Sequence, residues 1–528
     1  MKTWLTKYYR TLAAAIIILY AIINAYCTTR LSITGDELAY FAYGINVLKG
    51  RPQKETNAQG IPIYNSQMPM NALHALPRAL QQVLQPSLKK NPQQVGQDIY
   101  WGRLFSVVSA LLLALYVLVW ATQLYGKAAG IVALLLYATC PNIMAHSQLV
   151  GTDVFSFLMA TATCYHAWRY GKAATWRQLL WVACWLGLGQ IAKPSLLLLY
   201  PLVLVWLLLR LWPLTMHWRQ KLWRLTREGL LIVAVSLCII NTGFLFQHTG
   251  KPIKDYAFIS AQYKGLQQRL GWAASLPLLL PQPYLQGLDY ISFNVETGPG
   301  MDGKSSYGSN YFLGKKTDGQ KMWYYYPLCW LYKMPLGFWC LFVWALWVAL
   351  RKRTMPPIRG GLIYLLLPAL FMMVMFCLFN HMYLGIRSTL LIAPLLFVFC
   401  SSVVAFVDTK IKGLLLVALL VWQLISVARW FPHFLPYTNE LVWDKKNAHT
   451  IFTDSNIYFQ EAGILIGEYL QQHPDVQWEP AAPVKGRVLV SVEAYYDWWN
   501  QGRMQWLRNL HLQPVGHLDS GVLLFEVE

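Results

Sequence analysis

Residues suited to chemistry are scarce in this chain, because only 13% of its 528 residues are charged. Asp36 and Glu37 stand side by side in Thr34-Gly35-Asp36-Glu37-Leu38-Ala39-Tyr40, directly after an apolar run. Carboxylates at a membrane boundary are costly to dehydrate unless they line a wet cavity or meet cations, and one so placed can act as general base for an acceptor hydroxyl. Loop charges that mark the end of a span would look the same. Asp153, in His146-Ser147-Gln148-Leu149-Val150-Gly151-Thr152-Asp153, is the sole acid between Asp98 and Glu228. It suits a reaction centre, and it equally suits a cap favoured by the dipole of the helix it begins.

Three cations complete the set. Lys193 follows Gly187-Leu188-Gly189-Gln190-Ile191-Ala192 and precedes Pro194; Lys333 sits in Trp330-Leu331-Tyr332-Lys333-Met334-Pro335; Arg387 closes His381-Met382-Tyr383-Leu384-Gly385-Ile386. Each could simply snorkel to lipid head groups. Converging with the carboxylates, they would instead form an anion site, with arginine suited to fork onto phosphate. The chain has no Walker loop, His-Glu-x-x-His pair or dinucleotide glycine fingerprint, so no familiar soluble-cofactor site is indicated.

The elements that must hold these residues are membrane spans. Hydrophobic residues make up 56% of the chain and mean hydropathy is +0.35. A soluble domain carries roughly a quarter charged residues. This composition excludes a disordered chain, a coiled coil and an ordinary cytosolic enzyme. Eleven runs are long enough to span: about 12–30, 102–124, 128–146, 151–169, 178–193, 194–212, 229–246, 327–350, 360–379, 388–407 and 412–430. Their crowding leaves the number of spans between 128 and 212 open. The first run, behind Lys2, Lys7 and Arg10, lacks a small-x-small cleavage site at Ala25-Tyr26-Cys27 and reads as a retained span.

Charge then orients the spans. With the N-terminus inside, the inner segments carry 18 basic residues and only the acids Glu228 and Asp408. That is the positive-inside pattern, so the net charge of +20 reads as a topology signal and not as a nucleic-acid surface. The long polar segments 31–100, 247–326 and 431–528 all fall outside, together with the turns around Asp153, Lys193 and His381. Asn71 to Leu84 and Pro92 to Tyr100 read as short interfacial helices, and 247–326, rich in Gly, Tyr and Pro, as an ordered loop. The tail, with a helical stretch at about 456–472 and strand-like runs Arg487–Val492 and Gly521–Val527, predicts a small α/β domain. The expected architecture is an all-α polytopic domain over 1–430 and an outer α/β domain over 431–528. All nine cysteines lie in or beside apolar runs and read as small core hydrophobes.

Several pieces, in order along the chain, resemble the bacterial branch of the GT-C membrane glycosyltransferases, the protein O-mannosyltransferase and aminoarabinose-transferase-like group (glycosyltransferase family 39). They are Gly35-Asp36-Glu37 with Tyr40, Gln67-Met68-Pro69-Met70 with Leu73-His74-Ala75-Leu76-Pro77, and Pro141-Asn142-Ile143-Met144-Ala145-His146 leading to Thr152-Asp153. Then come Gly187 to Lys193, Pro283-Tyr284-Leu285-Gln286-Gly287, Tyr311-Phe312-Leu313-Gly314 and Lys333-Met334-Pro335-Leu336. Asn380 to Arg387 with Pro394, Leu435-Pro436-Tyr437-Thr438-Asn439-Glu440 and Asp454-Ser455-Asn456 complete the series. The chain departs at Met68-Pro69-Met70, at Ser388-Thr389-Leu390-Leu391, and at Asn456-Ile457-Tyr458-Phe459-Gln460, which lacks the family's Asp-Trp-Gly.

The resemblance implies a GT-C fold and transfer of a hexosyl or pentosyl group from a polyprenyl-phosphate donor, usually with inversion, to a glycan, lipid or protein acceptor. It implies Asp36 as base, Glu37 as support and Asp153 as the group that positions the acceptor or stabilises charge. Lys193 and Arg387, with Lys333, would hold the lipid phosphate. Tyr284, Tyr307, Asn310, Tyr311 and His381 would line the loop over the substrate. No cofactor is expected; a divalent cation near the carboxylates and His381 or His74 stays open, although the mannosyltransferase relatives do not generally need one. Partners would be the lipid-linked sugar, the acceptor and membrane lipids, and the location a bacterial inner membrane with the C-terminus periplasmic. A lipid or sugar transporter (flippase) and a non-catalytic envelope-assembly scaffold remain as alternatives.

Overall fold

Inside a bilayer every backbone polar group must be satisfied within the protein, and this chain meets that demand with helices. The computed structural model describes residues 2–54, 67–85, 92–297, 311–316, 321–351, 360–497 and 502–528. Among them, six helices are long and apolar enough to cross a membrane, or up to eight if each of two bent pairs is one span. The six are Tyr9–Thr28, Val95–Tyr125, Pro194–Leu211, Trp218–Gly243, Leu362–Phe379 and Lys410–Ala428. The bent pairs are Lys127–Ala138 with Pro141–Ser147, at 64°, and Tyr325–Lys333 with Leu336–Arg351, at 111°. Each bend falls at a proline, Pro141 or Pro335, which cannot donate the next helical hydrogen bond.

The eleven expected spans each have a helical counterpart, but three fall short of a full apolar span. Leu390–Phe406 is a shorter apolar helix and Trp176–Ala192 has 17 residues. Asp153–Lys172 has 20 residues but includes Thr161, Thr163, Tyr165 and His166. Its side chains from Val154 to Trp168 are all buried. A helix enclosed by other helices need not be apolar on every face, which is why hydropathy alone misjudges it.

Two outer expectations shift. Asn71 to Leu84 is a helix over Ala72–Leu84 entered through the turn Pro69–Asn71. Pro92 to Tyr100 is no separate interfacial helix; it is the first part of a continuous 34-residue helix, Pro92–Tyr125. The helix Gly35–Leu48 lies directly on the Pro69–Asn71 turn. A Cβ at Gly44 would come within 2.3 Å of the Asn71 carbonyl oxygen, so only glycine allows that approach.

Beyond Ala428, residues up to Ala462 run mostly as turns and short 3-10 segments across the end of the bundle. The helix Gly463–Gln472 then leads into a four-stranded sheet of Val476–Trp478, Gly486–Ser491, Val522–Val527 and Gly516–Asp519, in that spatial order. The first pair is parallel and the other two are antiparallel. The sheet unit is pinned to the first span's exit: the Ser32 N–H donates to the Glu461 carbonyl at 2.9 Å, and Arg30 pairs with Glu468 at 2.8 Å. Five cysteines (Cys27, Cys140, Cys164, Cys329 and Cys400) are buried as expected, whereas Cys238 and Cys340 are exposed on helices that face outward from the bundle.

Candidate active site

Neighbouring residues on a helix point about 100° apart, so adjacent carboxylates need not share a role. In the helix Gly35–Leu48, Glu37 turns inward and Asp36 turns toward the end of the bundle. Glu37 is fully buried and its carboxylate accepts from Arg103 Nε at 2.8 Å and Arg103 Nη2 at 2.6 Å. It also accepts the Val150 N–H at 2.8 Å and the Thr34 N–H at 2.9 Å. Arg103 donates further to the carbonyls of Thr28, Leu31 and Ser32. Glu37 is therefore the anchor that ties the first span's exit to the Pro92–Tyr125 helix and to Val150. Its carboxylate is taken up by these contacts and does not line the cavity that Asp153, Lys193 and Arg387 share.

Asp36 accepts from Tyr40 Oη at 3.1 Å, one turn along the same helix, and lies 3.5 Å from Arg387 Nη1. Its side chain keeps 30% of its exposure, so a proton can reach it. Asp153 begins its helix and accepts from Lys193 Nζ at 2.5 Å, with His146 Nδ1 at 3.9 Å from its other oxygen. Lys193 occupies the break between Trp176–Ala192 and the turn Pro194–Leu198. Proline disfavours helical backbone in the residue before it, and Lys193 is accordingly extended (φ −154°, ψ 126°), which swings its side chain to Asp153. Arg387 is carried by the turn Ile386–Ser388 behind Gly385, and its guanidinium stacks 4.9 Å from the Phe459 ring.

Asp153, Lys193 and Arg387, with Tyr40, form the charged end of a cavity of about 380 Å³. The rest of its wall is largely apolar: Leu197 and Leu198 on one side, Leu288 and Ile291 on another, Met375, Phe376 and Phe379 on a third. Gln262, Ser292, Asn380 and Ser388 add polar edges. Leu197 and Phe379 are 43% and 58% exposed, so the apolar wall opens outward at the end of the Leu362–Phe379 span. A cavity with cations at one end and hydrocarbon along its length suits an anionic head group on an apolar tail.

The structure brings Asp153, Lys193 and Arg387 into the cavity wall, with Asp36 beside Arg387 but outside the lining, and it leaves the remaining expected residues among the described ones out of the cavity. Lys333 is buried and donates to the Leu435 carbonyl at 2.7 Å and to the Asn456 carbonyl. It ties the bent Tyr325–Lys333 helix to the segment after the last span. Tyr284 is buried against Phe244 and donates to Gln190 Oε1 at 3.0 Å, behind the cavity wall. Tyr311 packs on Tyr496 at 4.7 Å and exchanges backbone hydrogen bonds with the Thr453 hydroxyl, so it joins the loop to the tail. His381 is half-buried beside the cavity residues Asn380 and Met382 and does not line the cavity. Tyr307 and Asn310 lie outside the described residues. His74 has both ring nitrogens taken by the Gly102 and Gly151 carbonyls, at 2.8 and 3.0 Å. Among the described residues no group of three or more His, Cys, Asp or Glu side chains is arranged to hold a metal ion.

Two residues given no site role in the sequence expectation matter here. Arg103 had a signal, a cation inside an apolar run, which within a membrane marks a buried partner. Asn456 had none. Its side chain accepts the Ile386 N–H at 3.0 Å and donates to Tyr325 Oη at 3.1 Å, fixing the turn that carries Arg387.

The described residues thus form a helical membrane bundle with a charged cavity beside its spans and a small C-terminal sheet. Residues 94–241, which include Asp153 and Lys193, match the family model described as dolichyl-phosphate-mannose-protein mannosyltransferase. No curated protein matches the chain in sequence. Among solved structures, it is similar to the Saccharomyces cerevisiae protein O-mannosyltransferase Pmt1-Pmt2 complex bound to the sugar donor (14% identity, TM-score 0.34, covering 45% of this chain and 33% of that one). It is also similar to the Archaeoglobus fulgidus oligosaccharyltransferase tethered with an acceptor peptide (12% identity, TM-score 0.42, covering 82% and 55%). A third is ArnT from Cupriavidus metallidurans bound to undecaprenyl phosphate (13% identity, TM-score 0.32, covering 97% of both chains). The chain thus spans about a third and about half of the first two chains' lengths.

Proposed function

We propose that this protein is an inverting glycosyltransferase that moves a sugar from a polyprenyl-phosphate carrier to an acceptor hydroxyl on the outer face of a bacterial inner membrane. The observation that carries this reading is the cavity in which Asp153, Lys193 and Arg387 meet an apolar wall at the end of a span. A polyprenyl phosphodiester has that shape: one negative charge, then hydrocarbon. Lys193 and Arg387 offset the phosphate charge, which grows as the sugar leaves. Arg387 reaches Asp36 as well as the cavity, so donor and base share one cation.

In the step, the acceptor oxygen attacks the anomeric carbon from the face opposite the phosphate. The bond from carbon to the phosphate oxygen breaks and its electron pair stays on that oxygen. Asp36 takes the hydroxyl proton as the new bond forms. Asp153, held by Lys193, faces the cavity as a fixed negative charge beside the carbon that becomes cationic. The chain's own groups supply charge, orientation and a proton acceptor. The segment order that places Asp36 and Asp153 at one end, with 18 basic residues on the other side, supports an outer site and a cytoplasmic N-terminus.

The test is a transfer assay in liposomes with a panel of labelled polyprenyl-phosphate sugars, envelope extracts as acceptors and nucleotide sugars as controls. The expected result is label leaving the lipid with inverted anomeric configuration. Direct use of a nucleotide sugar, or loss of label to no acceptor from any lipid donor, would overturn the reading.

A further inference from the structure

Arg387 is surrounded by more negative charge than a phosphate-binding arginine needs. Asp153, Asp36 and Asp454 all bias it toward its charged form. Asp454 comes from the segment after the last span, far along the chain, and its placement is built in detail. Its backbone is left-handed (φ 60°), a conformation unfavourable for most non-glycine residues that asparagine and aspartate tolerate better than most. Both flanks are bolted down. The Thr453 hydroxyl bonds to the Tyr311 backbone, and Ser455 Oγ donates to the Leu384 carbonyl at 3.1 Å and lies 3.2 Å from Asp454 Oδ2. Asn456 then accepts from the Ile386 N–H, one residue from Arg387. The segment that presents Asp454 and the turn that presents Arg387 are therefore one clamped unit.

We propose that Asp454 is a positioning residue of the donor site, which sets the net charge at Arg387 and thereby the hold on the lipid phosphate. With all three aspartates ionised, Lys193 and Arg387 face three negative charges, and a phosphodiester meets net repulsion. With a proton on Asp454 the cluster is balanced, and the phosphodiester meets no net repulsion at Arg387. The groups that act on Asp454 are Arg387 from the turn, Asp36 from its helix, Tyr325 and Cys329 from the bent helix, and Ser455 from its own segment. Burial lifts its carboxyl to about 7, against the pull of Arg387 and with the push of Asp36. Donor affinity is then expected to fall as Asp454 ionises. If the protonated form is the competent one, the apparent affinity follows its fraction, an about tenfold loss from about pH 6 to about pH 8.

This inference rests on the donor reading above, and the test separates the two. The probe is a polyprenyl methyl phosphodiester, which keeps a single charge over that range, titrated onto the full-length protein in nanodiscs at several pH values. Wild type should bind more weakly as pH rises. Asp454→Asn, isosteric and at ease in left-handed backbone, should bind tightly with little pH dependence. Asp454→Glu should restore a slope. An unchanged slope in Asp454→Asn, or uniform loss of binding at every pH, overturns the role of Asp454 and leaves the donor reading standing. No binding by wild type at any pH overturns both.

Discussion

Asp36 and Glu37 are neighbours in sequence but answer to different arginines: Glu37 is closed into a buried fork with Arg103 at 2.6 Å, while Asp36 faces Arg387 at 3.5 Å. One carboxylate holds the structure and the other is available for chemistry. Substitution should separate them.

Glu37→Gln should destabilise the fold by about 3–5 kcal/mol, because removing one partner leaves the Arg103 charge buried and uncompensated. The double variant Glu37→Gln with Arg103→Gln should recover part of that loss, since the two residues are coupled. Thermal unfolding in detergent reads both. A Glu37→Gln variant with wild-type stability would show that Arg103 finds other partners.

Asp36→Asn should leave unfolding temperature unchanged and lower transfer by about 10²–10⁴-fold, the range of a lost general base. The measurement is initial rate at saturating donor. Full activity would remove Asp36 from the role of base.

Lys193→Ala and Arg387→Ala should raise the donor concentration needed for half-maximal rate more than that of acceptor. Lys333→Ala should behave differently. Its ammonium holds carbonyls of Leu435 and Asn456, so its loss should lower stability first. Donor titrations paired with melting curves would distinguish the three, and equal effects on donor use would return Lys333 to the phosphate site.

Gly385→Ala tests the clamp behind Arg387. Gly385 has φ 78°, and a Cβ there would lie 3.0 Å from Ser455 Oγ and 3.2 Å from Asn456 Oδ1. Strain of about 1–3 kcal/mol is expected, relieved by shifting the turn. Donor binding should weaken while the membrane bundle stays intact by circular dichroism; tight donor binding in this variant would mean the turn does not need its clamp.

The tail should grow more stable on acidification. Burial raises the carboxyls of Glu461 and Asp519 to about 8 and about 7, and each keeps one oxygen without a partner. In the unfolded chain both would titrate near 4, so between about pH 4 and 8 the unfolded state binds fewer protons than the folded one. Stability contributed by these protons is complete below the unfolded value and is lost as pH rises through the folded values. Hydrogen exchange or limited proteolysis of the tail at about pH 5 and about pH 8 would follow this. Asp519→Asn should flatten the dependence, and an increase of stability with pH would refute it.

By itself the sequence determined the features that composition and local order dictate. Long apolar runs must be helices in lipid, basic residues sort to one side, and charges beside the runs must sit where spans end. That was enough for the fold class and for strands at Gly486–Ser491 and Val522–Val527, and it put Asp36, Asp153, Lys193 and Arg387 forward as candidates that the fold places near one another. Only the tertiary structure decided which charged residues meet. Glu37 and Lys333 carry the same chemistry as Asp36 and Lys193 and stand at similar boundaries. They differ only because Arg103, and the carbonyls of Leu435 and Asn456, arrive from distant parts of the chain to satisfy them. The number of complete spans was likewise decided by packing, because the enclosed helix Asp153–Lys172 needs no lipid-facing surface. A charge is a reactive group or a strut according to its partners, and partners that arrive from far along the chain leave no mark on local sequence.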